Sequence, residues 1–366
     1  MAKIVIDARE LRTSTGRYIE RLLHYLQIVD KINDYVVLLK PKDIDDWVPT
    51  NKNFTKLASP FKEFSFEEQF GLKKQIKSLR ADLVHFGMVQ QPIMYHGKVV
   101  TTMHDLTTCR YKNPSKNSFV FWFKQKVYKH VNKKVAHKSK AILVPSEYVK
   151  DDVAKFAHIK PDKIYVTYEA ADDIYGVAEP INALRGKQFL FYIGRPTPHK
   201  NLDNLIEAFK ILHEDNPELL LVLGGKKDVL YEKYEQLVNE MGLGDFVIFT
   251  GFVSELQLKW LYQNCRAYVF PSFSEGFGLP GLEAMTHRAP VVASEATCLP
   301  EIYGDAAQYF NPNDVYDIAR TINEVLTNKR LRTNMIINGR KKADEYSWQR
   351  MAEQTLEVYN KVLSSK

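Results

Sequence analysis

Short apolar runs alternate with longer stretches of helical period along most of the chain. Residues 3–7, 35–39, 82–86, 99–103, 141–145 and 164–167 are apolar runs bounded by polar or turn residues, the mark of buried strands. Residues 19–26, behind a loop that carries Gly16, have the amphipathic spacing of a helix. Residues 169–187 lack periodicity and hold Asp172, Asp173, Gly176, Pro180 and Gly186, so they read as a linker. The alternation then restarts, with strands at 189–193, 219–223, 246–250 and 267–270 and helices at 202–212 and 230–241. The capping box Ser254-Glu255-Leu256-Gln257 opens another helix, and three helical stretches, 314–326, 331–346 and 348–363, close the chain. Strand followed by helix throughout predicts an α/β fold with parallel sheets. A chain of 366 residues is longer than one core usually supports, so the sheets are assigned to two domains, 1–168 and 188–347.

The richest stretch is Ser272-Phe273-Ser274-Glu275-Gly276-Phe277-Gly278-Leu279-Pro280-Gly281-Leu282-Glu283. It follows the apolar run Ala267-Tyr268-Val269-Phe270, and Pro280 stands where a helix would begin, its φ already helical and its missing N–H no loss. Strand, glycine-bearing turn and helix N-terminus present free backbone N–H groups and the positive end of a helix dipole, a site for phosphate. Glu275 and Glu283 flank it. A carboxylate there repels phosphate, so both read as acceptors for hydroxyl groups such as those of a sugar. Gly276 to Gly281 also spells GxGxxG, with Glu301 twenty residues on, which matches a dinucleotide-binding turn. Its late position in the chain and the proline inside it count against that reading. A ligand-free turn is the third.

Two other strand ends carry chemistry. After 189–193 come Gly194 and Arg195, then His199-Lys200-Asn201; Arg195 as a planar fork and Lys200 as a point charge are placed to converge on one diphosphate. After 99–103 stand His104 and Asp105, at the end of a strand where open α/β sheets bind ligands, with the aspartate available to orient the ring. Gly16 either lets a backbone approach a ligand or turns the chain, and the second is the plainer reading. Asp43-Ile44-Asp45 is a DxD, but its Lys/Pro/Asp surroundings make it a solvated surface loop.

Composition narrows the class. No apolar run reaches the ~18 residues of a membrane span, residues 1–7 read as a strand and not a signal peptide, and three scattered cysteines suit a reducing compartment. A cytoplasmic protein is expected. Residues 1–168 hold 30 Lys and Arg against 17 Asp and Glu, whereas 169–366 hold 21 against 27. From Arg110 to Lys140 there are ten basic residues and no acid, interleaved with Phe119, Phe121, Trp122, Phe123 and Tyr128. Such a run fits peripheral docking on an anionic membrane at the inner face of the plasma membrane. Nucleic acid, the other anion it suits, is not an expected partner, and aromatics in a core with solvated lysines is the bland alternative.

Taken together, Gly194-Arg195 with His199-Lys200-Asn201, Gly251-Phe252-Val253 followed by an acid, Glu275 to Pro280 with Glu283, and His104-Asp105 give the chain its family resemblance. In this order and spacing, essentially end to end, the sequence resembles the retaining family 4 glycosyltransferases of GT-B fold, mannosyltransferases most of all. The resemblance implies two Rossmann-like domains facing across a cleft, with the helix after Trp348 crossing back to the first. It implies transfer of a hexose, first mannose from GDP-mannose and then sugars of UDP, to a glycan or lipid-linked acceptor, with no metal and no cofactor. It places Glu275 on the donor sugar, Glu283 on the ribose, and the Gly278 and Leu279 amides at the phosphates, with Phe277 also among the donor-binding residues. Gly251, Phe252 and Val253 would lie against the base, Gly16 near the diphosphate, Gly194 among the donor-binding residues, and His104 at the transferred sugar. Arg195 and Lys200 would stabilise the departing diphosphate, with front-face attack assisted by the leaving phosphate. The competing classes are a nicotinamide-dependent oxidoreductase using the GxGxxG turn, and a basic anion-binding scaffold without activity.

Overall fold

The computed structural model describes residues 1–13, 15–111 and 118–365. Strands β1 (Lys3–Asp7), β2 (Asp34–Leu39), β3 (Phe54–Ala58), β4 (Leu83–Phe86), β5 (Val99–Thr102), β6 (Ala141–Val144) and β7 (Ile164–Val166) form one sheet, in the order β3-β2-β1-β4-β5-β6-β7. Strands β8 (Gln188–Ile193), β9 (Leu219–Gly224), β10 (Val247–Gly251), β11 (Ala267–Phe270), β12 (Val291–Ser294) and β13 (Ala307–Phe310) form the other, in the order β10-β9-β8-β11-β12-β13. Every neighbouring pair is parallel; Val5, for instance, lies opposite Val36 on one side and Val84 on the other. Each sheet reverses its strand order once, beside β1 and beside β8. In open α/β sheets ligands bind at the carboxyl ends of the strands at such a reversal.

The chain divides into two compact units. The described residues of Met1–Arg110, Lys116–Glu169 and Ser347–Lys366 make up the first, and Ala170–Tyr346 lies in the second. Residues 170–187, within the stretch that reads as a linker, cluster with the second unit. They are strapped to the second unit by Lys259, whose ammonium donates to the carbonyls of Ile174 and Gly176 at 2.6 and 3.0 Å, and by Glu179 N–H to Leu256 O at 3.0 Å. Irregular backbone still has to place its hydrogen bonds, and a long lysine supplies them. The final helix, Trp348–Ser364, packs on the helix Gly16–Val29 of the first unit, and its Tyr359 hydroxyl lies 2.5 Å from His85 Nδ1.

The apolar periodicities are core faces. Ile19, Leu22, Leu23 and Leu26 are buried along Gly16–Val29, and Leu202, Leu205, Ile206, Phe209 and Leu212 along Leu202–Asp215. Each such side chain contributes about 1.5–3 kcal/mol on full burial. Ser254 and Gln257 form the reciprocal capping box. Strands β3, β12 and β13 and the helix Glu147–Ala157, capped by Ser146, were not legible as elements. The β3 strand lies at a sheet edge, where only Phe54 is buried.

A buried ionic cluster sits at the end of β1. Arg9, 2% exposed, donates through Nε and Nη2 to Asp7 at 2.8 Å, through Nη2 to Glu68 at 2.9 Å and through Nη1 to Phe61 O at 2.7 Å. Burial opposes its charge, but Asp7 and Glu68 outweigh burial and hold the guanidinium above its usual pKa range. The other Glu68 oxygen accepts the amide of Phe64, which has a left-handed backbone at φ 59°. The cluster thus fixes a loop in a conformation that bulky side chains disfavour.

Candidate active site

In the second unit the loops after β8 and β11 lie side by side at the strand reversal, and backbone contacts tie them together. Phe273 N–H donates to His199 O at 2.8 Å, and Asn201 Nδ2 donates to Pro271 O at 3.1 Å and Pro312 O at 2.8 Å. Asn201 itself takes a left-handed φ of 58°, which asparagine tolerates. This loop carries Arg195 and Lys200.

Lys200 reaches Glu275. Its Nζ donates to Glu275 Oε1 at 2.6 Å, with both side chains mostly buried, and stands 5.4 Å from the centre of the Phe270 ring. An ammonium has three N–H donors, and Glu275 takes one of them. The remaining donors suit a phosphate oxygen, while Glu275 keeps its second oxygen for a hydroxyl. Arg195 is more exposed and donates through Nε to Asp228 Oδ2 at 2.9 Å; Asp228 Oδ1 caps the helix Val229–Glu240 by accepting Leu230 N–H at 3.0 Å. Both cations expected to stand open to a diphosphate are therefore held by carboxylates. The Lys200 pair is mostly buried and holds its ammonium in place, whereas the Arg195 pair is solvent-exposed and weak.

The turn after β11 shows why its glycines are there. Gly278 has φ 91° and precedes the helix Leu279–Thr286, and its carbonyl accepts the Tyr303 hydroxyl at 2.5 Å. A Cβ at Gly281 would sit 2.2 Å from that same hydroxyl. Leu279 and Pro280 open the helix, so the free N–H end faces the turn. The ring of Phe277 is buried edge-on to Tyr346 at 5.5 Å. Glu283, one turn into the helix, is buried and accepts the Tyr262 hydroxyl at 3.3 Å. Gly251 ends β10 at φ 68°, Phe252 beside it is 85% exposed, and Val253 is half-buried. Gly194 N–H donates to Gly224 O at 3.0 Å, and a Cβ there would meet the Tyr192 hydroxyl at 2.8 Å.

In the first unit Gly16 is required by its own loop, since a Cβ would lie 2.1 Å from Leu11 O. His104 follows β5, with Nδ1 3.3 Å from Glu169 Oε1 and Nε2 3.2 Å from Gly87 O. Asp105 does not orient the ring as expected. Its Oδ1 accepts Thr107 N–H at 2.7 Å in a local turn, and the ring partner is Glu169, 65 residues away. The DxD is also corrected: Asp43 is buried in the turn Pro41–Asp46 with Oδ2 lacking a partner, whereas Asp45 is 98% exposed beside Lys56. The two carboxylates do not share a site. Among the described residues no group of three or more His, Cys, Asp and Glu is placed to hold a metal ion.

The profile of the glycosyl transferases group 1 matches residues 178–342, and that of Glycosyltransferase Family 4 matches residues 31–173. The O-antigen chain mannosyltransferase B of Escherichia coli is 30% identical over 291 residues, which cover 73% of this chain and 74% of that protein. The chain belongs to glycosyltransferase family 4. The serotype-specific mannosyltransferase WbdA of Escherichia coli is 31% identical over 62% of this chain, a match that spans 29% of that longer protein. Among solved structures, sucrose-phosphate synthase from Thermosynechococcus elongatus shares the fold with a TM-score of 0.78 at 18% identity, each chain covered in full. Anabaena Alr3699/HepE in complex with UDP and glucose does so at 0.74 and 17%, covering 99% of this chain and 100% of that one. The protein is thus a glycosyltransferase of GT-B fold, and the loops after β8 and β11 lie in the segment matched by the group 1 profile. Arg195, Glu283 and His104 stand out in the sequence, whereas their partners Asp228, Tyr262 and Glu169 are seen only in the structure. Asp228 had a cap signal, whereas Glu169 had none.

Proposed function

We propose that this glycosyltransferase moves mannose from GDP-mannose to a glycan or lipid-linked acceptor, with retention at the anomeric carbon and without a metal. The observation that carries the proposal is the contact of Lys200 with Glu275 at the strand reversal, a cation for the diphosphate joined to an acceptor for sugar hydroxyls. Bond cleavage separates an oxocarbenium-like sugar from a departing dianion. Arg195, Lys200 and the N-terminus of Leu279–Thr286 are fixed dipoles and charges against that developing negative charge. Mannose is favoured by the names of the relatives, and a UDP-sugar is the second reading because the Anabaena protein holds UDP. A transfer screen across GDP-, UDP- and ADP-sugars in EDTA tests it. Mannose transfer that survives chelation is expected; activity lost in EDTA and restored by manganese would overturn the metal-independent reaction.

We further propose that the first unit docks on an anionic membrane to reach a lipid-borne acceptor. No described helix is long and apolar enough to cross a membrane. In the helix Ser118–Lys138, Trp122 is half-exposed with Lys126 Nζ 3.8 Å from its ring centre, while Tyr128 packs on the core; the side chains of Phe119, Phe121 and Phe123 lie outside the described residues. Not all ten basic residues serve. Arg110 is paired with Asp152, and burial, then Lys134, pushes Lys138 down to about 8 as it donates to Pro92 O at 2.7 Å. Exposed apolar surface comes instead from Phe64, Phe66 and Phe70, at 67%, 85% and 70%, with the Phe64 ring 6.1 Å from that of Tyr128. Each basic residue near the bilayer contributes about 1 kcal/mol. Neutralising Lys124, Lys126, Lys133 and Lys134 together, or replacing Phe66 and Phe70 by serine, is expected to abolish co-sedimentation with anionic vesicles at low salt and leave donor hydrolysis unchanged. Wild-type protein that stays in the supernatant would mean a soluble acceptor.

A further inference from the structure

We infer that Glu169 is a positioning residue that holds His104 as an imidazolium at the end of β5. The argument is one of donors and acceptors. Nδ1 of the ring faces a carboxylate oxygen of Glu169 and Nε2 faces the carbonyl of Gly87, at 3.3 and 3.2 Å. A carbonyl only accepts, and so does an ionised carboxylate. A neutral imidazole has one N–H and would set a lone pair against one of them; the imidazolium donates to both.

The surroundings agree. From the helix Gly16–Val29 the edge of Tyr18 meets the ring at 4.8 Å and 81°, and its hydroxyl lies 2.8 Å from Thr102 Oγ1. Thr102 Oγ1 in turn lies 2.8 Å from Nε2 of His85 on β4. His85 is fully buried and neutral, pushed down to about 3 by burial first and then by the charge of His104. Asp105 on the same strand end adds a negative charge. Burial alone would lower the His104 pKa, but the hydrogen bond and charge of Glu169, then Asp105 and the Gly87 carbonyl, raise it instead. Among the described residues, the charged groups that raise the His104 pKa are the carboxylates of Glu169 and Asp105.

The ring therefore carries a fixed positive charge and a donor that a ligand oxygen can take over from Gly87. In the transfer reaction, on which this part rests, that donor is available to a ligand oxygen. The protonated ring is lost as pH rises through its raised pKa, so kcat/KM falls on the alkaline side. Removing the carboxylate in Glu169→Gln leaves burial to dominate and moves that limb to lower pH, while Glu169→Asp keeps the charge and restores part of the shift.

The test is an NMR titration of the His104 ring in the full chain, wild type and Glu169→Gln, beside the pH profile of kcat/KM. The wild-type ring is expected to titrate above the usual ~6.5 of histidine and the variant below it, with the alkaline limb moving in the same direction. The titration needs no substrate, so it reads the ion pair even if the donor is misassigned. A wild-type ring that is neutral at pH 7, or a titration that Glu169→Gln leaves in place, would overturn the inference. A rate limb that stays put while the ring pKa falls would overturn the positioning role. Should Glu169→Gln fail to fold, the wild-type titration and Glu169→Asp decide the matter.

Discussion

Lys200→Ala is expected to lower turnover by at least about 100-fold with the fold intact, and Arg195→Ala by a similar factor. In the proposed reaction each removes a positive charge that opposes the negative charge growing on the diphosphate as the glycosidic bond breaks, a loss on the order of 3 kcal/mol by analogy with a missing oxyanion-hole donor. The lysine should be the more damaging of the two. It is mostly buried and in contact with Glu275, so its loss also takes the cation from a mostly buried carboxylate. Arg195 is 64% exposed and its partner Asp228 has a second role as a helix cap. Both variants should show the effect in kcat. Glu283→Ala, which removes an interaction that does not change along the reaction, should act chiefly on donor KM. Near wild-type turnover in Lys200→Ala or Arg195→Ala, with an unchanged melting curve, would remove these cations from the reaction.

The largest effect on stability is expected at Arg9. Arg9→Met takes the cation out of a buried cluster and leaves Asp7 and Glu68 facing each other, 6% and 1% exposed. Breaking a buried pair by removing one partner costs about 3–5 kcal/mol, because the remaining charge has neither water nor a counter-ion. The midpoint of urea unfolding should fall by a corresponding amount at unchanged m-value. Restoring neutrality with Asp7→Asn and Glu68→Gln in the same chain should recover much of the loss. A single variant within about 0.5 kcal/mol of wild type, the range of ordinary surface substitutions, would mean that the cluster is solvated.

What could be seen in the sequence follows the range of the forces involved. Buried parallel strands are short apolar runs, so β1, β2, β8, β9 and β11 stand out, as do helices such as Leu202–Asp215 with one apolar face. An edge strand such as β3 buries too few residues to show a pattern. At the site, Lys200 and Glu275 were recognisable singly because each belongs to a local motif. Their contact, 75 residues apart in sequence, exists only once β8 and β11 are neighbours. The same limit misdirected the reading of His104. The adjacent Asp105 was the natural partner for the ring, yet its short side chain closes a turn onto Thr107, and the carboxylate that does reach the ring comes from beyond β7, in a stretch that looked like a linker. The basic run near Trp122 was visible from composition. The exposed phenylalanines at 64, 66 and 70 were not, because phenylalanine reads as a core residue and only the fold shows these three facing solvent.

The most direct test of the central claim is a calorimetric titration of GDP-mannose, UDP-glucose and NAD into the protein in EDTA, repeated with Glu283→Ala. Saturable one-site binding of GDP-mannose, much weakened in the variant, and no heat with NAD is the expected result. Binding of NAD with no response to either nucleotide sugar would contradict the claim that the loops after β8 and β11 form a nucleotide-sugar site.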